Sequence, residues 1–171
     1  MTRRITATGQ RLPLDQGVRR RHGGAADGVL GSLAAVVTIR PDWDELPEGL
    51  LAFWVERHLC TLATVRADGR PHVVPVGVAL DLDERCAWVI TSGASVKART
   101  LAAAPGAAVA ACQVDGARWS TIEGRATVLT DQRSVRRAED RYAARYRVPR
   151  VNPQRVAIRI EVDRFLSSAR V

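Results

Sequence analysis

At 171 residues the chain has the length of one domain, and 46% apolar residues suffice for a core, an aliphatic one given only 5% aromatics. The net charge of +8 is carried almost wholly by arginine, since Lys97 is the only lysine. No apolar run approaches the ~20 residues that a membrane-crossing helix needs, so a soluble, cytoplasmic protein without membrane partners is expected. Cys60, Cys86 and Cys112 are odd in number and set in apolar β-like runs, which suggests buried free thiols in a reducing compartment. His22, His58 and His72 show no metal-ligand spacing, and no zinc site is expected.

Much of the basicity belongs to the head. Seven arginines against Asp15 and Asp27 place +5 of the charge in residues 1–40. Residues 1–44 read as a disordered extension or an over-long reading frame, and residues 45–171 as the folded domain. The head lacks interleaved aromatics, so nucleic-acid binding is not expected of it.

From Pro47, at a first helical position, Leu50, Leu51, Phe53, Trp54, Val55 and Leu59 form the apolar stripe of a helix over residues 47–58. Two β runs, residues 60–65 and 72–80, flank a loop whose Asp68-Gly69 pair signals a hairpin. A third strand, residues 85–91, passes through Ser92-Gly93-Ala94 into a short helix capped by Ser95 and stopped at Pro105-Gly106. Residues 107–114 and 118–129 form the next pair of strands across Asp115-Gly116, the second with a bend expected at Gly124. Asp131 caps a helix to about residue 147 that sets Val135, Ala138, Tyr142 and Tyr146 against a charged face of Arg133, Arg136, Arg137, Asp140 and Arg141. The last strand alternates, with Val156, Ile158, Ile160 and Val162 on one face. The order is mainly β (α+β), and hairpins dominate it. It predicts a six-stranded antiparallel barrel with flanking helices.

The strand-to-helix junction after Ile90 is the chemical focus. Hydroxyls, free backbone N–H groups, a helix N-terminus and the cations Lys97 and Arg99 converge there, which suits a phosphate; a surface crossover with an ordinary cap is the plainer reading.

The order and spacing of several segments carry a resemblance. They are residues 59–65, Asp68-Gly69-Arg70-Pro71-His72, Val73-Val74-Pro75-Val76, residues 91–99 and Gln113-Val114-Asp115-Gly116-Ala117-Arg118-Trp119. Over residues 50–169 the chain resembles the split β-barrel flavin and deazaflavin oxidoreductases related to pyridoxamine 5′-phosphate oxidase, an FMN-binding-like fold. Ile122-Glu123-Gly124-Arg125-Ala126, Asp140-Arg141-Tyr142 and Arg145-Tyr146-Arg147-Val148-Pro149-Arg150 are similar to the biliverdin reductases of the branch that uses coenzyme F420.

The resemblance implies that Thr91, Ser92, Ser95 and Lys97, with Arg99 beside them, bind the cofactor phosphate. It places His72, Val74, Pro75 and Val76 along the ring system, where Pro75 offers no N–H. It implies a homodimer in which Gln113, Arg118 and Trp119 of the second copy complete the pocket, although Trp119 also reads as an ordinary dimer-core aromatic and Arg118 as a solvated turn residue. A deazaflavin carries its own hydride, so the protein need only orient it, exclude water and supply a proton or hydrogen bond; no catalytic residue is singled out. The implied function is hydride transfer from reduced coenzyme F420 to a conjugated small molecule of the biliverdin kind, whose two propionates the arginines of residues 131–150 would meet. An FMN flavoprotein and a non-catalytic cofactor or tetrapyrrole carrier remain alternatives. A pyridoxamine phosphate oxidase is disfavoured, because the C-terminal substrate-phosphate motif is not found.

Overall fold

The structure is a computed structural model that describes residues 35–171. Eight antiparallel strands, β1 (Val36–Ile39), β2 (Cys60–Val65), β3 (Pro71–Val76), β4 (Val78–Asp81), β5 (Cys86–Ser92), β6 (Ala107–Asp115), β7 (Arg118–Leu129) and β8 (Arg155–Ser168), form one sheet. Three helices accompany them, α1 (Glu48–Val55), α2 (Val96–Ala103) and α3 (Gln132–Arg145). The strand order β3-β2-β6-β7-β8-β5-β4 places two sequence neighbours, β3 and β4, at its opposite ends. The barrel therefore closes through the chain at Gly77 rather than through a hydrogen-bonded ladder, which is what makes it split.

The expected barrel is present with two strands more than six. The run predicted over residues 72–80 divides at Gly77, where a Cβ would lie 2.6 Å from the Tyr142 ring and 3.0 Å from that of Tyr146. Only glycine lets both rings sit against the backbone. The other addition is β1. It pairs with Phe165–Ser168 of β8, beyond the Arg155–Ile160 segment that pairs with β5. The sheet thus reaches into the segment expected to be an extension; the rest of that expectation, residues 1–34, lies outside the described residues.

β8 is the spine, paired with β7 along most of its length, and one register shift interrupts the ladder. Glu123 faces Arg164 and Gly124 faces Val162, so Asp163 bulges out. A Cβ on Gly124 would stand 2.1 Å from the Glu161 carbonyl oxygen, the physical cause of the expected bend.

Inside the barrel Leu62, Ile122, Ile158, Ile160 and Phe165 pack with Leu50 and Trp54 of α1 and Leu101 of α2. The Trp54 indole N–H donates to Ser120 Oγ at 3.0 Å, so the largest core side chain satisfies its one polar atom. α1 ends at Val55, before the expected His58, and leaves Val55 and Leu59 of the predicted stripe 73% and 67% exposed. The cause is tertiary: the Glu56 carbonyl accepts from Arg145 and that of His58 from the Tyr146 hydroxyl. Outside the barrel, α3 lays Ala138 and Val135 over Cys86, Trp88 and Ala157. Cys60 and Cys86 are buried as expected, whereas Cys112 is half-buried.

Candidate functional site

β5 ends on Thr91 and Ser92, and α2 starts four residues later. Ser95 caps α2 by accepting from the Ala98 N–H at 3.3 Å, and the Thr91 hydroxyl donates to Ser95 Oγ at 3.2 Å. Ser92 Oγ accepts from the Ala94 N–H and donates to Gln154 Oε1, and the Gly93 N–H donates to the Gln154 carbonyl at 2.8 Å. The turn is held by its own hydroxyls and by the start of β8.

Lys97, in the first turn, is half-buried, and burial lowers its pKa below the ordinary lysine value. Among the described residues no carboxylate forms an ion pair with it, and the first turn of α2 contains no acid. A partly desolvated cation in the first turn of a helix whose start carries two hydroxyls suits an anion. Arg99 points back and donates to the Ala94 carbonyl at 2.6 Å, so it braces the turn.

The other side of the barrel seam is β3, an edge strand paired only with β2. His72, Val74 and Val76 face inward, while Pro75 is exposed. The β4-β5 pairing stops at Val78↔Val89, so β3 and the end of β5 border the seam without a ladder between them. His72 Nδ1 meets the Arg66 guanidinium at 3.2 Å. The phosphate set thus lies at the end of β5, and the strand expected to carry the ring is the edge strand β3.

The remaining expected set divides. Gln113 is 1% exposed, its amide N–H donates to the Phe53 carbonyl at 3.0 Å, and its oxygen accepts from Arg145 at 2.6 Å. It is a core polar residue, turned away from any surface where a second copy could present it. Arg118 forms two bonds to Glu56, at 2.9 and 2.8 Å, another to Asp115, and covers the Phe53 ring at 5.0 Å. It is neither a solvated turn residue nor a free cation. The Arg118 and His58 contacts hold the Glu56 carboxyl down at about 2. Glu56, His58 and Asp115 bring ligand-type atoms within 4.8 Å of one another, but the Arg118 guanidinium already bonds both carboxylates. Trp119 is half-buried on the outer face of β7, across from exposed Val114.

Arg137 and Arg141 belong to the expected charged face of α3, and the structure commits both of them, together with Arg145, to the fold. Arg137 bonds the fully buried Asp81 at 2.6 and 2.7 Å, Arg141 reaches the same carboxylate at 3.1 Å, and the Trp88 indole donates to it at 3.1 Å. Burial alone would raise the Asp81 pKa; these donors outweigh it and hold the carboxyl well below its usual range. Arg145 bonds the Glu56 and Val78 carbonyls as well as Gln113, and stacks over Trp54 at 5.3 Å. The signal in the sequence was the spacing: Arg137, Arg141 and Arg145 recur every four residues, one stripe of a helix, facing an aspartate that ends an apolar strand.

The model of the pyridoxamine 5′-phosphate oxidase family matches residues 46–168. The chain belongs to that family. It is 53% identical over 124 residues, 72% of this chain and 89% of the relative, to an F420H(2)-dependent biliverdin reductase of Mycobacterium tuberculosis. Among solved structures, a conserved hypothetical protein of M. tuberculosis shares 25% identity at a TM-score of 0.60, covering 74% of this chain and 86% of that one. An F420 reductase shares 26% at a TM-score of 0.56, covering 70% and 98%. This member of the family therefore has the split-barrel fold, and no described helix is long and apolar enough to cross a membrane.

Proposed function

We propose that this protein is a cytoplasmic, homodimeric reductase that uses reduced coenzyme F420 to transfer a hydride to a conjugated substrate of the biliverdin class. The observation that carries the reading is Lys97: in a chain with that reductase among its relatives, the only lysine is a half-buried cation without an ion pair among the described residues, in the first turn of the helix that Ser95 caps and Thr91 braces. That donor set fits a phosphate group, and the exposed edge of β3 fits a flat ring laid along the seam. When bound, the deazaflavin supplies the hydride. The chain's own residues hold the phosphate at Thr91, Ser95 and Lys97, align the ring along His72, Val74, Pro75 and Val76, and exclude water.

A second copy would provide that exclusion. Val65, Val73 and Val114 are 59%, 57% and 61% exposed and share the outer face of β3, β2 and β6 with Pro75 and, on β7, Trp119. An apolar sheet face of this kind marks a contact surface. Titration of the purified protein with coenzyme F420 and with FMN, followed by fluorescence, tests the cofactor; preference for FMN would favour the flavoprotein alternative. Mixing Lys97→Ala and Trp119→Ala subunits under exchange tests the shared site. If each site draws on both chains, one intact site per mixed dimer restores activity, and a mixture no more active than its parents sinks the shared pocket.

A further inference from the structure

Three α3 arginines are committed to Asp81, Asp83 and backbone carbonyls, but Arg147, just past the helix, forms no ion pair among the described residues. Nor does Arg57, and both are exposed. The two meet across a cavity of about 370 Å³ whose other walls are Leu59, Tyr142 and Tyr146. The tyrosine rings stack at 4.9 Å, and the Tyr146 hydroxyl is fixed, accepting from the Val78 N–H and donating to the His58 carbonyl. Leu59, 67% exposed, adds an aliphatic surface to the same cavity. The result is an apolar floor between two cations that have no carboxylate partners among the described residues.

The position matters as much as the composition. Both rings lie against Gly77, the residue that follows Val76 at the end of the strand proposed to carry the cofactor ring. Leu59 precedes Cys60, the register partner of Val76. The cavity therefore opens at one end of the seam.

We infer that this cavity is the seat for a carboxylate-bearing ring of the substrate: Arg57 and Arg147 bind a propionate, and Leu59, Tyr142 and Tyr146 support the ring that bears it. The inference deepens the proposed function and rests on it for the identity of the substrate. Ion pairing at the cavity anchors the propionate-bearing edge of the tetrapyrrole, and its conjugated body then extends over the cofactor ring seated along β3. A cavity of this size takes one ring and its side chain, so the rest of the molecule remains over the seam. Arginine suits the task because its planar fork meets a carboxylate with two parallel bonds.

The test compares biliverdin with biliverdin dimethyl ester, which keeps the conjugated body and loses both charges, in equilibrium titrations by visible absorbance without cofactor. Wild type should bind the acid at least tenfold more tightly than the ester. The double variant Arg57→Gln, Arg147→Gln should lose that preference through weaker acid binding, with ester binding within twofold of wild type. Arg133→Gln, on another part of α3, should keep the preference. A wild type that binds no biliverdin or does not discriminate overturns the seat, as does a double variant that discriminates like wild type or weakens both ligands equally. Oxidation of reduced F420 is followed separately: preference lost in the double variant without turnover in wild type upholds the seat and sinks the reductase reading, and turnover with no effect of the substitutions does the reverse.

Discussion

Two polar regions of the domain differ in how completely their groups are partnered. Where α1, β6 and α3 meet, Gln113, Arg145, Tyr146, Glu56 and Arg118 bond one another or backbone carbonyls until few donors and acceptors are left over. At the β5-α2 junction the hydroxyls hold the turn, but the Lys97 ammonium has no anionic partner among the described residues although burial already disfavours its charge. A saturated network contributes stability and has nothing to offer a ligand. A desolvated, unpaired cation costs stability in the free protein, and a phosphate would relieve that cost. Two residues expected to touch the cofactor, Gln113 and Arg118, belong to the first region, and this difference removes them from the proposed site.

The comparison breaks most sharply at Arg145. Replacing it with alanine strips partners from Gln113 and from the Glu56 and Val78 carbonyls, and should cost about 3 kcal/mol of stability in urea denaturation, since each unsatisfied buried group costs about 1–3 kcal/mol. A loss below about 1 kcal/mol would show that the cluster is not the clamp described.

Lys97→Ala should do the opposite. Cofactor affinity should fall by about ten- to a hundredfold, or roughly 1.5–3 kcal/mol, while the denaturation midpoint stays put or rises as an unpaired, partly desolvated charge disappears. Fluorescence titration and denaturation of the same preparation read both quantities, and unchanged binding would remove the phosphate site. The alkaline limb follows the same logic. Only the ammonium form binds phosphate, and burial lowers the Lys97 pKa, so affinity should decline from a lower pH than an ordinary lysine would give.

Ser95→Ala lies between the regions, because Ser95 both caps α2 and faces the site. A stability loss of about 1 kcal/mol is expected from the cap alone. It should come with weaker cofactor binding, and Ser95→Asp should restore the cap but not the binding, since a carboxylate repels phosphate.

The smallest effect is expected at Glu56. Its pKa is lowered to about 2, so its contribution is complete above the ordinary carboxylate range and is lost as pH falls through about 2. Acid denaturation of Glu56→Gln should lack that part of the pH slope. The change should be small because the pair with Arg118 is partly exposed, and an unaltered slope would mean that the pair is screened away.

The sequence by itself determined the features that local chemistry dictates. Ser95 and Asp131 cap their helices as read, each accepting from the backbone N–H three residues ahead of it. The alternation of β8, the Asp-Gly turns and the bend at Gly124 were legible because pleat and glycine conformation are properties of a few neighbouring residues. The order of elements then carried the family and its split barrel. Tertiary structure alone decided the rest. The break at Gly77 is imposed by two tyrosines more than sixty residues away, and β1 has a place only because β5 leaves half of one edge of β8 unpaired. The fates of Gln113, Arg118 and the α3 arginines depended on partners that no spacing within their own segments names. A charge is a ligand site or a structural pin according to what the fold sets beside it, and that neighbour is supplied by long-range packing.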